Sequence, residues 1–263
     1  TYFCKESITY NHSLELGTDV SIFIAQNATL TINPSDGSGL SAEGKNINII
    51  GLDKETSLLN ITSTGENSTA ITAGGIILHN LTVNATAGAT VIQASDNLTI
   101  NSSTVTATTT STSENDYGIY AGTGAINVNL GPTDFLLASS FNKVLTIPEG
   151  KELLAISNGS VSGIFKYGNT NLDIINGKTL CAANYCGSSY DGKDLVWYLT
   201  TGSDAAKVLH IEKNPDAEIS GSDLFTIENT FSSVKNSITQ IVFSDDIVGI
   251  GASAFSGCSG LAT

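Results

Sequence analysis

Two kinds of short apolar segment alternate between residues 68 and 101. Ser68-Thr69-Ala70-Ile71-Thr72-Ala73 is followed by Gly75-Ile76-Ile77-Leu78-His79-Asn80-Leu81-Thr82-Val83. Ala89-Thr90-Val91-Ile92-Gln93-Ala94 is then followed by Asp96-Asn97-Leu98-Thr99-Ile100-Asn101. Ile71 to Ile92 is 21 residues and Ile76 to Leu98 is 22. Each segment alternates apolar and polar residues, the pattern of a strand with one face inside. A repeat of about 22 residues holding two or three such strands is the signature of a parallel β-helix. Leu98 and Ile100 then face the core, while Asn97, Thr99 and Asn101 face solvent.

The pattern extends in both directions. Asn46-Ile47-Asn48-Ile49-Ile50-Gly51 lies 29 residues before the segment at Ile76, counted from Ile47. Tyr117-Gly118-Ile119-Tyr120-Ala121 and Gly124-Ala125-Ile126-Asn127-Val128-Asn129-Leu130 follow at longer steps of 27 and 28, which the Thr/Ser tract from Thr106 to Asp116 explains. Like-on-like stacking predicts one internal ladder through Ile71, Ile92 and Ile119. Gly and Asn suit the corners and Thr and Val the strands. A β-sandwich of hairpins has similar strand spacing, but the fixed order of the paired segments favours the helix. The expected fold is therefore mainly β: a right-handed parallel β-helix-like solenoid over residues 1–180, a cap over 181–236, and the start of a second solenoid over 237–263.

Between Gly131 and Thr179 the pattern loosens. Leu136-Leu137, Val144-Leu145-Thr146-Ile147 and Leu172-Asp173-Ile174-Ile175 read as strands of the last, less regular coils, with turns at Pro148-Glu149-Gly150 and Asn176-Gly177-Lys178. Leu195-Val196-Trp197-Tyr198-Leu199 is predicted to pair with Val208-Leu209-His210-Ile211 as a hairpin. Residues 222–235 read as a short helix or irregular turn.

Composition narrows the function. Charged residues make up 14% of the chain, the net charge is -14, and all eleven basic residues are lysine. Such a charge repels nucleic acid and anionic membranes. No run of about 18 apolar residues is present to form a membrane-spanning helix. The Thr/Asn/Gly-rich, charge-poor composition, with no opening Met, predicts a secreted bacterial surface protein whose export signal has been removed.

The last quarter carries Ile238-Thr239-x-Ile241 with Phe243, then Asp245-x-Ile247-Val248-x-Ile250-Gly251, then Ala254-Phe255-Ser256-Gly257-Cys258-Ser259-x-Leu261. This resembles one repeat of the BspA-like leucine-rich-repeat family of bacterial surface proteins. Cys186-Gly187, Val196-Trp197-Tyr198-Leu199 and Leu209-x-Ile211 are similar to the region that precedes such arrays, with Val196 where that pattern has Thr. The resemblance covers roughly Cys186 to Thr263. It implies a cap, a first leucine-rich repeat of an array, and adhesion or binding at a cell surface, without catalytic residues. The N-terminal part resembles bacterial carbohydrate-binding β-helix modules through its Asn-Leu-Thr-Ile-Asn strand at Asn97–Asn101. Known members of that group carry acidic calcium ligands, in which these coils are poor.

Candidate chemistry is sparse. A β-helix lyase needs a cationic group to neutralise a uronate and a base, yet Lys45 and Lys54 are the only basic residues of the regular coils before Lys143. Asp53, Glu55, Glu66, Asp96, Glu114 and Asp116 fall mainly in turns rather than as a catalytic pair. His12, His79 and His210 stand apart, without a nucleophile motif. Nine Asn-x-Ser/Thr sequons, Asn158 among them, read as by-products of Asn/Thr strand and turn chemistry. Tyr117, Tyr120, Tyr185, Tyr190 and Tyr198 are the available tyrosines; Tyr120 is expected to point inward beside Ile119, and Tyr117, Tyr185 and Tyr190 are the expected ligand-stacking platforms. Cys181 and Cys186 are close enough to form a disulfide in an oxidising compartment, or else are free thiols, and Cys258 reads as a core residue. The sequence thus predicts a non-enzymatic extracellular protein, without cofactor or metal, that binds host protein or polysaccharide through its solenoid faces. A carbohydrate-binding module is the alternative and a polysaccharide-degrading enzyme a third.

Overall fold

The computed structural model describes residues 1–35, 37–186, 193–201, 207–217, 234–245, 247, 250 and 253–261. Within them the chain is built from strands, with one short 3₁₀ helix and no α-helix. The N-terminal part winds in coils of three strands each. They run β1 (Tyr2–Cys4), β2 (Ile8–Tyr10) and β3 (Leu14–Glu15), then β4 (Val20–Ile24), β5 (Thr29–Ile32) and β6 (Leu40–Ala42). The third and fourth coils are β7 (Ile47–Gly51), β8 (Leu58–Ser63), β9 (Ile71–Ala73), β10 (Ile76–His79), β11 (Thr82–Ala87) and β12 (Ile92–Ala94). The fifth is β13 (Leu98–Asn101), β14 (Thr104–Thr109) and β15 (Ile119–Ala121). The sixth holds β16 (Ile126–Asn129) and β17 (Phe135–Ala138), and its third strand shrinks to one parallel bridge between Ile119 and Phe141. β18 (Leu145–Thr146) is the last parallel strand of the helix.

Corresponding strands stack in parallel into three sheets: a first sheet from β1 to β18, a second from β2 to β17 and a third from β3 to β15. This is a parallel β-helix, as the repeat spacing predicts. Ile71, Ile92 and Ile119 are direct partners in the third sheet and all are fully buried. Ile47, Ile76, Leu98, Ile126 and Leu145 form the matching column of the first sheet, and Leu59, Val83, Val105 and Leu136 that of the second. Leu98 and Ile100 are buried, Asn97 is exposed, and Thr99 and Asn101 are half-buried on the outer side.

The corners explain the Asn and Gly content. Asn27, Asn80 and Ser102 occupy the same corner of three coils, between first- and second-sheet strands, with φ of 60°, 54° and 48°. Asn tolerates this left-handed region better than most residues, and Asn80 also donates its side-chain amide to the Gly51 carbonyl at 2.9 Å. Gly88 has a different reason: a Cβ there would lie 2.0 Å from the Gly65 carbonyl oxygen of the neighbouring coil.

Past β18 the structure departs from the expected continuation of the coils. β19 (Glu152–Ser157) and β20 (Ser160–Lys166) form an antiparallel hairpin, and β21 (Thr179–Ala182) runs antiparallel to both β17 and β19. The cause is Asn158-Gly159, whose φ values of 53° and 80° make the two-residue turn with positive φ at both positions that suits strand twist. Leu172–Ile174 is a 3₁₀ helix rather than a strand, because the Asn171 side chain accepts the Asp173 N–H and caps it. Turns at Gly150 and Gly177 occur as expected, with φ of 74° and 65°.

The antiparallel strands bury both faces. Leu153, Ala155, Phe165 and Leu180 close the end of the helix core. Leu154, Ile156, Ile164 and Cys181 pack on Val196 and Tyr198 of a fourth sheet. That sheet orders β22 (Asn184–Tyr185), β23 (Leu195–Thr201), β24 (Lys207–Lys213) and β25 (Ile238–Phe243). β23 and β24 are the expected antiparallel pair, and β25 joins β24 in parallel. On its far face Trp197, Leu209 and Ile211 gather Ile238, Ile241, Phe243, Ile247, Ala254, Phe255, Cys258 and Leu261 into one apolar cluster. Ile250 stays 55% exposed outside it.

Candidate functional site

The inward residues of the three sheets are consumed by the core, so each sheet presents its outward side chains to a partner. On the first sheet they form two columns along the helix axis. One runs Phe3, Phe23, Ile50, His79, Asn101, Asn129. The other runs Ser21, Asn48, Ile77, Thr99, Asn127, Thr146. None of these twelve side chains is acidic, and none is Lys. The seven strands place first and last about 29 Å apart at the usual spacing of about 4.8 Å.

The two halves of this face differ chemically. Toward the N-terminal end Phe3 and Phe23 stack with ring centroids 5.0 Å apart, and Phe3 and Ile77 are 63% and 41% exposed. Toward the other end the amides are wired together. Asn129 donates to the Asn101 carbonyl oxygen at 2.9 Å, and Asn101 donates in turn to His79 Nδ1 at 3.0 Å. Accepting at Nδ1 leaves the His79 proton on Nε2. Each amide keeps a further N–H and lone pair for an external partner. A shallow groove of about 280 Å³ crosses this half, lined by Thr99, Asn101, Asn127, Asn129, Thr146 and Pro148. A second hollow of about 210 Å³ adjoins it at Asn129 and Pro148 and reaches Lys151, Glu152 and Asn184.

The second sheet is uncharged on its outer side as well and has an amide pair of its own, Asn84 donating to the Asn60 side-chain oxygen at 3.0 Å. The second sheet presents Thr9, Thr31, Asn60, Asn84, Thr106 and Leu137 in register. The third presents Glu15, Ser41, Thr72, Gln93 and Tyr120.

Of the tyrosines expected to stack on a ligand, Tyr117 and Tyr185 lie at different sheets. Tyr117 lies just before β15, its ring 5.8 Å from that of Tyr120. Tyr120 points outward, not inward: its neighbours Ile119 and Ala121 are the buried pair, so the alternation of the strand turns it to the surface. Tyr185 ends β22, where its hydroxyl donates to Glu152 and the Lys193 ammonium sits 5.1 Å over the ring. One face of that ring is therefore taken by a cation–π contact. Tyr190 lies outside the described residues. Tyr198 is buried, with His210 stacked on it at 4.7 Å.

Cys181 and Cys186 are free and buried in different apolar clusters, and burial pushes both thiols up to about 12. Three coil carboxylates are engaged locally or between coils: Asp53 accepts the Glu55 and Thr56 N–H groups of its own turn, Asp19 accepts the Asn46 N–H of the next coil, and Asp116 accepts the Ser111 hydroxyl. Asp134 is buried, holds Lys54 at 2.6 Å and accepts the Gly131 N–H. Among the described residues no three His, Cys, Asp or Glu side chains converge as metal ligands, and no helix is long and apolar enough to cross a membrane.

The sequence reading passed over His79, Asn101 and Asn129 as strand chemistry. Their signal was present: successive first-sheet strands, Leu98-Thr99-Ile100-Asn101 and Ile126-Asn127-Val128-Asn129, both end on an outward amide. No protein family, curated protein or solved structure matches the chain.

Proposed function

We propose that this chain belongs to a non-enzymatic adhesion or ligand-binding protein of a bacterial surface, and that the outward face of the first sheet contacts the ligand. One observation carries the reading: the outward face of the first sheet is uncharged along the solenoid in a chain of net charge -14, and it adds the Phe3–Phe23 pair to its amide ladder where the equally uncharged second sheet has Thr9 and Thr31. Of the coil carboxylates, Asp19, Asp53, Asp116 and Asp134 are engaged by backbone or hydroxyl donors, which favours binding over catalysis. An extended solenoid face offers a large shallow contact surface suited to macromolecular ligands. The resemblance of Ile238–Leu261 to a BspA-like repeat supports the surface location. The gathering of Ile241, Phe243, Ala254, Phe255 and Leu261 into one cluster with β24 suits a repeat unit packing on its cap.

Solid-phase binding to immobilised collagen, fibronectin, neutral polysaccharides and uronate polymers tests this. Saturable binding to at least one, with no release of reducing sugar or unsaturated product, is expected. Turnover of any polymer, or saturable binding to none, contradicts the proposal.

A further inference from the structure

We infer that the first-sheet face takes an uncharged linear polysaccharide lying along the solenoid axis. This rests on the proposed ligand face and specifies what occupies it. The charge pattern argues first. An acidic polymer would be repelled by the surrounding negative chain, and a basic protein ligand would find no carboxylate among the two outward columns. A neutral polymer meets neither penalty.

The second argument is chemical. Sugars present hydroxyls, each both donor and acceptor, and apolar C–H faces. The Asn101–Asn129 pair offers the same dual capacity, since each amide retains a free N–H and a free lone pair after the ladder bonds are made. Because those ladder bonds fix the amide orientation before binding, little side-chain freedom remains to be lost. At the other end of the column the mutually stacked Phe3 and Phe23 supply apolar ring surface against which C–H groups can pack.

The third argument is periodicity. Successive coils place outward groups every about 4.8 Å along the axis, so an extended polymer lying along it meets a pair of outward side chains at each coil, apolar toward the N-terminal end and amide or hydroxyl toward the other. The shallow groove follows the same direction over Thr99, Asn127 and Thr146, which are partners in successive coils.

Affinity electrophoresis of the whole chain through gels containing linear β-glucan, xylan, mannan or polygalacturonate tests the assignment. At least one neutral polymer is expected to retard the chain, independently of salt, and polygalacturonate is not. The double substitution Asn101→Ala with Asn129→Ala, and separately Phe23→Ala, are each expected to weaken retardation about tenfold or more while the melting curve stays cooperative. Phe23→Tyr, which keeps the ring, is expected to retain binding. Binding to collagen or fibronectin alone overturns the polysaccharide assignment and leaves the adhesion reading standing. Retardation by a neutral polymer that survives all these substitutions overturns the placement on this face. Binding to no macromolecule overturns both.

Discussion

Glu212 shows how single side chains tie the two parts of the chain together. Its carboxylate accepts the Tyr198 hydroxyl at 2.7 Å and the Val161 N–H of the β19–β20 hairpin at 2.8 Å. Burial, reinforced by the neighbouring carboxylate, raises the Tyr198 pKa and keeps it a donor. Glu212→Ala takes the acceptor from the Val161 N–H and leaves the Tyr198 hydroxyl the Gly159 carbonyl at 2.9 Å, and denaturant unfolding is expected to register a loss of about 1–2 kcal/mol. His210 responds to pH. Burial lowers its pKa, outweighing the opposing pull of Glu212, so the folded state prefers the neutral ring that contacts Thr200 at 2.8 Å. The unfolded chain then binds more protons. Stability is fully present above the ordinary histidine pKa of about 6.5 and declines as pH falls below it. His210→Phe should flatten the wild-type slope between about pH 7 and 5, and an unchanged slope would contradict this. The thiols offer a third check. Native iodoacetamide treatment should spare Cys181 and Cys186, whose burial raises both thiols to about 12, and modify the less buried Cys4 and Cys258 first.

At the scale of the element, the coil columns decide stability. Ile92 is fully buried between Ile71 and Ile119, so Ile92→Ala removes contacts to coils on both sides. A loss of about 3–4 kcal/mol is expected from chemical denaturation. Gly88→Ala should cost at least about 2 kcal/mol for the opposite reason, since the added carbon meets the backbone of Gly65 and the coils must part. The columns were legible in the sequence because strand alternation and a near-constant step give the same answer. The same alternation rule forbids Ile119 and Tyr120 from facing the same side, so reading both as inward broke the rule that placed Ile71 and Ile92. Asn158-Gly159 was visible too, but as a sequon rather than as a hairpin turn. Leu172–Ile175 has the composition of a strand, and only the Asn171 cap beside it decides for a 3₁₀ helix.

At the scale of the whole molecule, the antiparallel strands β19–β21 act as a double-sided closure. One side seals the helix core and the other receives Val196 and Tyr198 of the fourth sheet. The closure was hidden from the sequence because strands buried on both faces lose the alternation that marks a half-buried one. The ligand face was hidden for a different reason. Phe3, Phe23, Asn101 and Asn129 are far apart in the chain, and only the parallel register brings them into one column. The most direct measurement compares one lysine placed on each outward face: Asn101→Lys on the first sheet, Asn84→Lys on the second and Gln93→Lys on the third. Retardation by the neutral polysaccharide that binds wild-type chain should be abolished by Asn101→Lys and kept by the other two. Full binding by Asn101→Lys, with loss in Asn84→Lys or Gln93→Lys, would contradict the account.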